Sequence, residues 1–171
     1  MSLFFNKELN SLEDLLAMEL DDLYDAEQRL CTVLPKMAEA AHSESLKRAF
    51  EDHARETQRH VSRLEQIFVD IGRTSHNETC DAMKGLISEG QAIIDATGSP
   101  EVKDAALIGA AQRVEHYEIA AYGTAHSHAS ELGYNRVEEL LQETLGEEKE
   151  ANSKLNQIAQ SSVNSQAHQG V

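Results

Sequence analysis

Tryptophan is absent, there are two prolines, and aromatic residues make up only 5% of the chain. A β-sandwich or barrel fills its core largely with aromatic and β-branched side chains, so this shortage points to helices packed through Leu, Ile and Ala. Basic residues are scarce as well: 15 Lys and Arg stand against 30 Asp and Glu, a formal net charge of −15. A surface for nucleic-acid phosphate or anionic lipid needs a basic patch, so neither nucleic acid nor membrane is expected as a partner. Nowhere do the ~18 consecutive apolar residues of a spanning helix occur. The opening "MSLFFNKELN" has a short apolar pair but no signal-peptide core. Cys31 and Cys80 show neither metal spacing nor a secreted framework, so both are expected as buried thiols in a reducing, cytoplasmic setting.

What is present is helical punctuation. Ser11 with Asp14 reads as a cap opening a helix to about Ala41, with Pro35 inside it as a source of a kink. A second helix is expected from Ser43 to Gly72, a polar loop over 73–78, and a shorter helix over 79–96. "TGSPE" at 97–101 marks a boundary, with Gly98 ending one helix, Ser99 capping the next and Pro100 in its first turn. A long helix to about 132 follows, stopped by Gly133, and then a last helix over 135–160. The polar residues 161–171, poor in bulky side chains, are expected to form a disordered tail beyond a single bundle domain at 1–160. The connection at 72–99 is 28 residues long, more than an up-down bundle needs. Four long helices with one long crossover holding an extra short helix is the ferritin-like, all-α arrangement.

The chemistry lies in "RVEHYEIAAYGT" at 113–124. At about 100° per residue, Glu118 falls in the middle of the apolar face of Leu107, Ala111, Val114, Ala121 and Ala125, with Glu115 at its edge. The other long helices repeat the anomaly. Glu27 shares a face with Leu16, Leu20, Leu23, Leu30 and Leu34, and Glu148 shares one with Val137, Leu141, Leu145 and Leu155, with Glu147 at its margin. On the second helix Glu56 is at the edge of the apolar stripe, while His53 and His60 are near its centre. Glu27 and Glu56 are 29 residues apart and Glu118 and Glu148 are 30 apart, as two matching helical hairpins would give.

An unpaired carboxylate in a core costs several kcal/mol, and a set of them rivals the ~5–15 kcal/mol stability of a domain. Basic partners are scarce on these faces. Two divalent ions would neutralise four glutamates, and carboxylate with imidazole suits iron or manganese. The candidate ligands are therefore Glu27, Glu56, Glu115, Glu118, Glu148, His53 and His60. Each taken singly also has an ordinary reading, a hydrogen-bonded core polar group or a miscounted face; it is their agreement across four helices that favours metal. Glu19 reads as a mouth residue, and His126 lies ~16 Å along the helix from Glu115, too far to share an ion. His42, His76, His116, His128 and His168 read as surface residues. Tyr24, Tyr117 and Tyr122 are candidates for hydrogen bonds to the ligands.

The strings "DDLYDAEQ", "LPKMAEAA", "HARET", "AMKGLISEG", "DAALIGAAQRVEHYEIAAYGT" and "ETLGEEK" resemble the YciF-type family of bacterial stress-associated, ferritin-like proteins over about residues 10–160. The resemblance implies a helical bundle, a two-metal centre and a homodimer, with Glu27, Glu56, Glu115, Glu118 and Glu148 as its inward carboxylates. Glu115-x-x-Glu118 also resembles the third helix of rubrerythrin, a di-iron peroxidase. The usual paired Glu-x-x-His is missing, since those slots read Glu56-Thr-Gln-Arg59 and Glu148-Lys-Glu-Ala151. Peroxidase-like oxidoreductase chemistry at two iron or manganese ions is the leading expectation. A metal-storage bundle and a non-catalytic structural dimer are the alternatives. Without a Cys-x-x-Cys pair, electrons for catalysis would come from a separate donor protein.

Overall fold

The structure is a computed structural model that describes residues 9–74 and 78–169. Within them the chain is all α: α1 (Leu12–Ala40), α2 (Glu44–Asp70), α3 (Asp81–Ile94), α4 (Pro100–Glu131), α5 (Asn135–Ile158), a π-helical turn (Ala159–Val163) and α6 (Asn164–Gln169). The four long helices and the short helix inside the crossover are those expected. No helix among the described residues is long and apolar enough to cross a membrane.

Local signals explain most of the boundaries. Ser11 Oγ accepts from the Asp14 amide at 3.1 Å and opens α1, which runs unbroken across Pro35. Gly72 and Gly133 adopt φ of 67° and 72° and reverse the chain after α2 and α4. In both places the amide of the following residue bonds back five positions, Arg73 to Phe68 and Tyr134 to Ala129, closing the last turn. Ser99 departs from expectation. Its hydroxyl donates to Glu101 at 2.5 Å rather than accepting from the first-turn amides of α4.

The long helices form a ring in which α1 neighbours α2 and α4, and α5 neighbours α2 and α4, while α3 packs on α4 and α1. Side-chain ties give the directions. Asp104 at the start of α4 accepts from the amides of His42 and Ser43 between α1 and α2, at 2.8 and 2.7 Å. Hence α2 and α4 begin at the same end of the bundle. Asp52 early in α2 meets Lys154 late in α5, and Arg63 late in α2 meets Glu143 early in α5. Every neighbouring pair around the ring is therefore antiparallel.

The core is divided in two. One apolar cluster, at the end holding the α1–α2 turn, includes Leu30, Leu34, Leu46, Phe50, Leu107, Ala111, Leu155 and the α3 residue Met83. The other, at the opposite end, includes Leu16, Leu20, Leu23, Leu64, Phe68, Ala125, Leu141 and Leu145. Between them, at mid-length, lie the buried Glu27, His53, His60, Glu115, Glu118 and Glu148.

Two sequence expectations change, for the tail and for Cys31, while Cys80 is buried as expected. Residues 161–169 are helical rather than a loose tail: the π turn rotates the chain so that Val163, 1% exposed, joins the first cluster beside Ile158. One bulky side chain anchors the segment, too faint a signal for periodicity to register. Cys31 is only half-buried. Cys80 is buried and structural, accepting from the Met83 amide at the start of α3 and lying 2.9 Å from the Tyr117 hydroxyl.

Asp104 is 2% exposed and neutralises two otherwise unpaired amides. Asp104→Ala is expected to lower unfolding free energy by about 2–3 kcal/mol, because charge-assisted bonds are lost and buried donors stranded. Urea denaturation should also place Asp104→Asn between the variant and the parent, since the amide retains one acceptor.

Candidate metal centre

Helical spacing delivers the polar side chains to the bundle axis. On α2, His53, Thr57 and His60 recur at four and three residues, share one face and are all buried. On α4, Glu115 and Glu118 continue the stripe from Leu107 to Ala125, at 1% and 0% exposure. Glu27 on α1 and Glu148 on α5 are fully buried between the leucines of their helices.

Two sets of ligand atoms converge. His53, Glu115, Glu118 and Glu148 form one, and Glu27, His60 and Glu148 the other, each with its atoms within 4.8 Å of one another. Glu148 belongs to both. His53 Nε2 lies 3.3 Å from Glu115 and 3.7 Å from Glu148. His60 Nδ1 lies 2.9 Å from Glu148 and 3.3 Å from Glu27.

These short approaches lack hydrogen-bond geometry. Both oxygens of Glu118, both of Glu148, Oε2 of Glu27 and of Glu115, both nitrogens of His53 and Nδ1 of His60 are buried without a hydrogen-bond partner. Native interiors rarely leave even one such group unpaired. Here the orphaned atoms crowd one small volume and face one another, the arrangement of donors to a shared cation.

Two residues behave differently from the expectation. Glu56 stands outside both sets, its side chain 34% exposed, with Oε2 3.5 Å from His53 Nδ1. Its 29-residue offset from Glu27 matches the hairpin repeat, but helical rotation leaves it at the rim of the stripe. Glu147 takes a role that periodicity missed. It receives His60 Nε2 at 2.9 Å and is bound by the Arg63 guanidinium, itself 2.7 Å from Glu143. With Glu147 as acceptor, Nε2 carries a proton, and Nδ1 is turned inward, where it could serve a metal once its own proton is released. Glu147 and His60 are 87 residues apart, beyond the reach of any local pattern.

Of the tyrosines only Tyr122 reaches the centre, donating to Glu27 Oε1 at 2.5 Å. Tyr24 bonds Glu65 and Tyr117 meets Cys80. Glu19 is half-buried on α1, and His126 pairs with Glu138 at 3.6 Å. His42, His116 and His168 are exposed and His128 is half-buried; His76 lies outside the described residues.

Burial drives the electrostatics. It pushes Glu118 and Glu27 upward, with the Glu148 charge adding to both, and raises Glu115 to about 8. Burial alone would depress the histidines, but the surrounding carboxylates outweigh it. They lift His53 to about 9, chiefly through Glu115 and Glu56, and His60 to about 10, chiefly through Glu148 and Glu27. At the rim, His53 holds Glu56 below the usual carboxylate range, and Arg63 does the same to Glu147 against its partial burial. All five inner groups thus bind protons more tightly in the folded state than in the unfolded one. Their contribution is fully present below the unfolded values, near 4.5 for Glu and 6.5 for His, and is lost as pH climbs through about 8 to 10. Chelator-treated protein is therefore expected to melt at a higher temperature at pH 6 than at pH 9 in calorimetry at fixed ionic strength.

The whole chain has close relatives. Protein YciF of Escherichia coli (strain K12) is 42% identical over 160 residues, covering 93% of this chain and 96% of that one. The crystal structure of the E. coli stress protein YciF superposes with a TM-score of 0.88 at 43% identity, covering 91% of this chain and 99% of that one. A protein from Rhodopseudomonas palustris, described as a putative structural protein, gives 0.85 at 42% identity, covering 90% and 98%. The family described as Domain of unknown function (DUF892) matches residues 11–168, and the chain belongs to it.

Proposed function

We propose that this chain is a stress-protein homologue built to hold two divalent ions. The observation that carries the reading is the group of buried, unpartnered carboxylate and imidazole atoms contributed by four different helices. His53, Glu115 and Glu118 would hold one ion and Glu27 and His60 the other, with Glu148 shared. Four glutamates and two dications balance in charge, which removes the cost of burying the carboxylates. Mixed oxygen and nitrogen donors suit iron or manganese.

Such a pair of ions supplies two-electron redox chemistry, the class to which peroxide reduction belongs. The chain's own part is to exclude water with the two apolar clusters, to fix His60 through Glu147 and Arg63, and to hold a phenolic proton at Glu27 through Tyr122. Electrons would arrive from a separate donor protein. A homodimer, implied by the family resemblance, belongs to this reading, and equilibrium sedimentation at micromolar concentration is expected to return twice the chain mass. The competing reading is a metal-free structural protein, favoured by the description of the R. palustris relative.

Glu118→Gln separates the two. It keeps the shape of a residue whose two oxygens have no partner and removes the cost of either burying a charge or taking up a proton there. The metal-free variant is expected to be more stable than the parent by about 1–3 kcal/mol, the scale on which a buried charge is relieved. Elemental analysis and Mn2+ titration should show about two ions per chain in the parent and a loss in the variant. A destabilised variant, together with a parent that takes up no metal, would establish the structural reading instead.

A further inference from the structure

The inner residues are sealed almost completely. Glu27, Glu118, Glu148 and His60 are 0% exposed and Glu115 1%, whereas His53 is 6% exposed. His53 is the most exposed member of the set, and a small cleft between α2 and α5 ends at it. His53 and Glu115 line its inner end, and both nitrogens of His53 are without a hydrogen-bond partner. Its walls include Phe50 and Leu155, and the small side chains of Ala49 and Ala151 leave it open.

The outer end is charged. Asp52 and Lys154 pair at 3.0 Å from opposite helices, so the charge of Asp52 is answered. Glu56 lines the same cleft, half-exposed, between water and His53. On its outer side it faces Arg59, 3.7 Å away and itself 54% exposed, while His53 Nδ1 lies 3.5 Å away on its inner side.

We propose that this cleft is the port by which divalent cations reach the buried centre, and that Glu56 is the carboxylate that takes them from water and passes them to His53 and Glu115. The proposal rests on the two-ion reading of the centre. It gives Glu56 a task matching its position: it shares the face of the ligands without belonging to either set. A carboxylate at the mouth of a low-dielectric passage raises the local concentration of cations and hence their rate of arrival. The neighbouring walls are apolar and narrow, which selects a small, partly dehydrated ion over a chelate complex.

A transit group and a ligand have opposite effects on release. A group along the path lowers the barrier in both directions, so its loss slows loading and unloading together. Loss of a ligand weakens the bound state and speeds release. The test uses Co2+, whose visible absorption changes as it leaves water for protein donors. Stopped-flow loading of the metal-free chain, and release to excess chelator, would be followed for the parent, Glu56→Gln and Ala151→Phe. Melting temperatures would confirm that each variant folds.

Both variants are expected to load and release Co2+ about tenfold more slowly or worse, the lower end of electrostatic rate effects, while still binding two ions at saturation. Faster release from Glu56→Gln, or saturation at one ion, would make Glu56 a ligand and overturn its transit role. Parent-like rates in Ala151→Phe would place the port elsewhere. A parent chain that binds no Co2+ at all would instead remove the two-ion reading, an outcome distinct from any change in rate.

Discussion

Buried negative charge without matching positive charge is the constraint around which this bundle is organised. Glu27, Glu115, Glu118 and Glu148 are desolvated together, and among the described residues the cationic groups between them are two imidazoles drawing on the same carboxylates. In the metal-free chain the cheapest response is to hold protons, which is why Glu115 and both histidines titrate so far above their ordinary ranges. The two apolar clusters supply the stability against which this cost is set. They occupy opposite ends of the bundle, so the polar belt is enclosed by packing above and below rather than diluted through it.

The two histidines, both on α2, differ in what surrounds them. Each turns one nitrogen to the centre and the other toward a rim carboxylate, Glu147 for His60 and Glu56 for His53. The first contact is a true hydrogen bond reinforced by Arg63, whereas the second is longer and borders the solvent cleft. One side of the centre is thereby closed by a hydrogen-bonded network, and the other borders a cleft.

Much of this was legible in the sequence because burying Glu118 on a helix leaves a trace every three or four residues. The same periodicity identified Glu27, Glu115 and Glu148, and brought out His53 and His60 although their offsets differ from Glu-x-x-His. Glu56 was placed inward by its offset from Glu27, but an offset along the chain says nothing of the last few tens of degrees of rotation. The partners of Glu147, Asp104 and Cys80 were not legible for another reason. Their roles depend on partners 87, 62 and 37 residues away, Glu147 on His60, Asp104 on His42 and Cys80 on Tyr117. Val163 was missed because a single apolar residue has no period.

The alternating direction of the helices has a consequence for how the centre can be tuned. Each long helix carries a macrodipole, and its influence is concentrated in the first and last turns. Around this ring every dipole lies beside two of opposite sense, and the centre sits at mid-length, remote from all eight ends. The backbone therefore imposes almost no net field there. Whatever potential an ion meets is written by side chains alone, so changes to caps and turns act on the durability of the scaffold. Changes within the polar belt would act on the hold over any ion bound there, so the two sets of properties could vary independently.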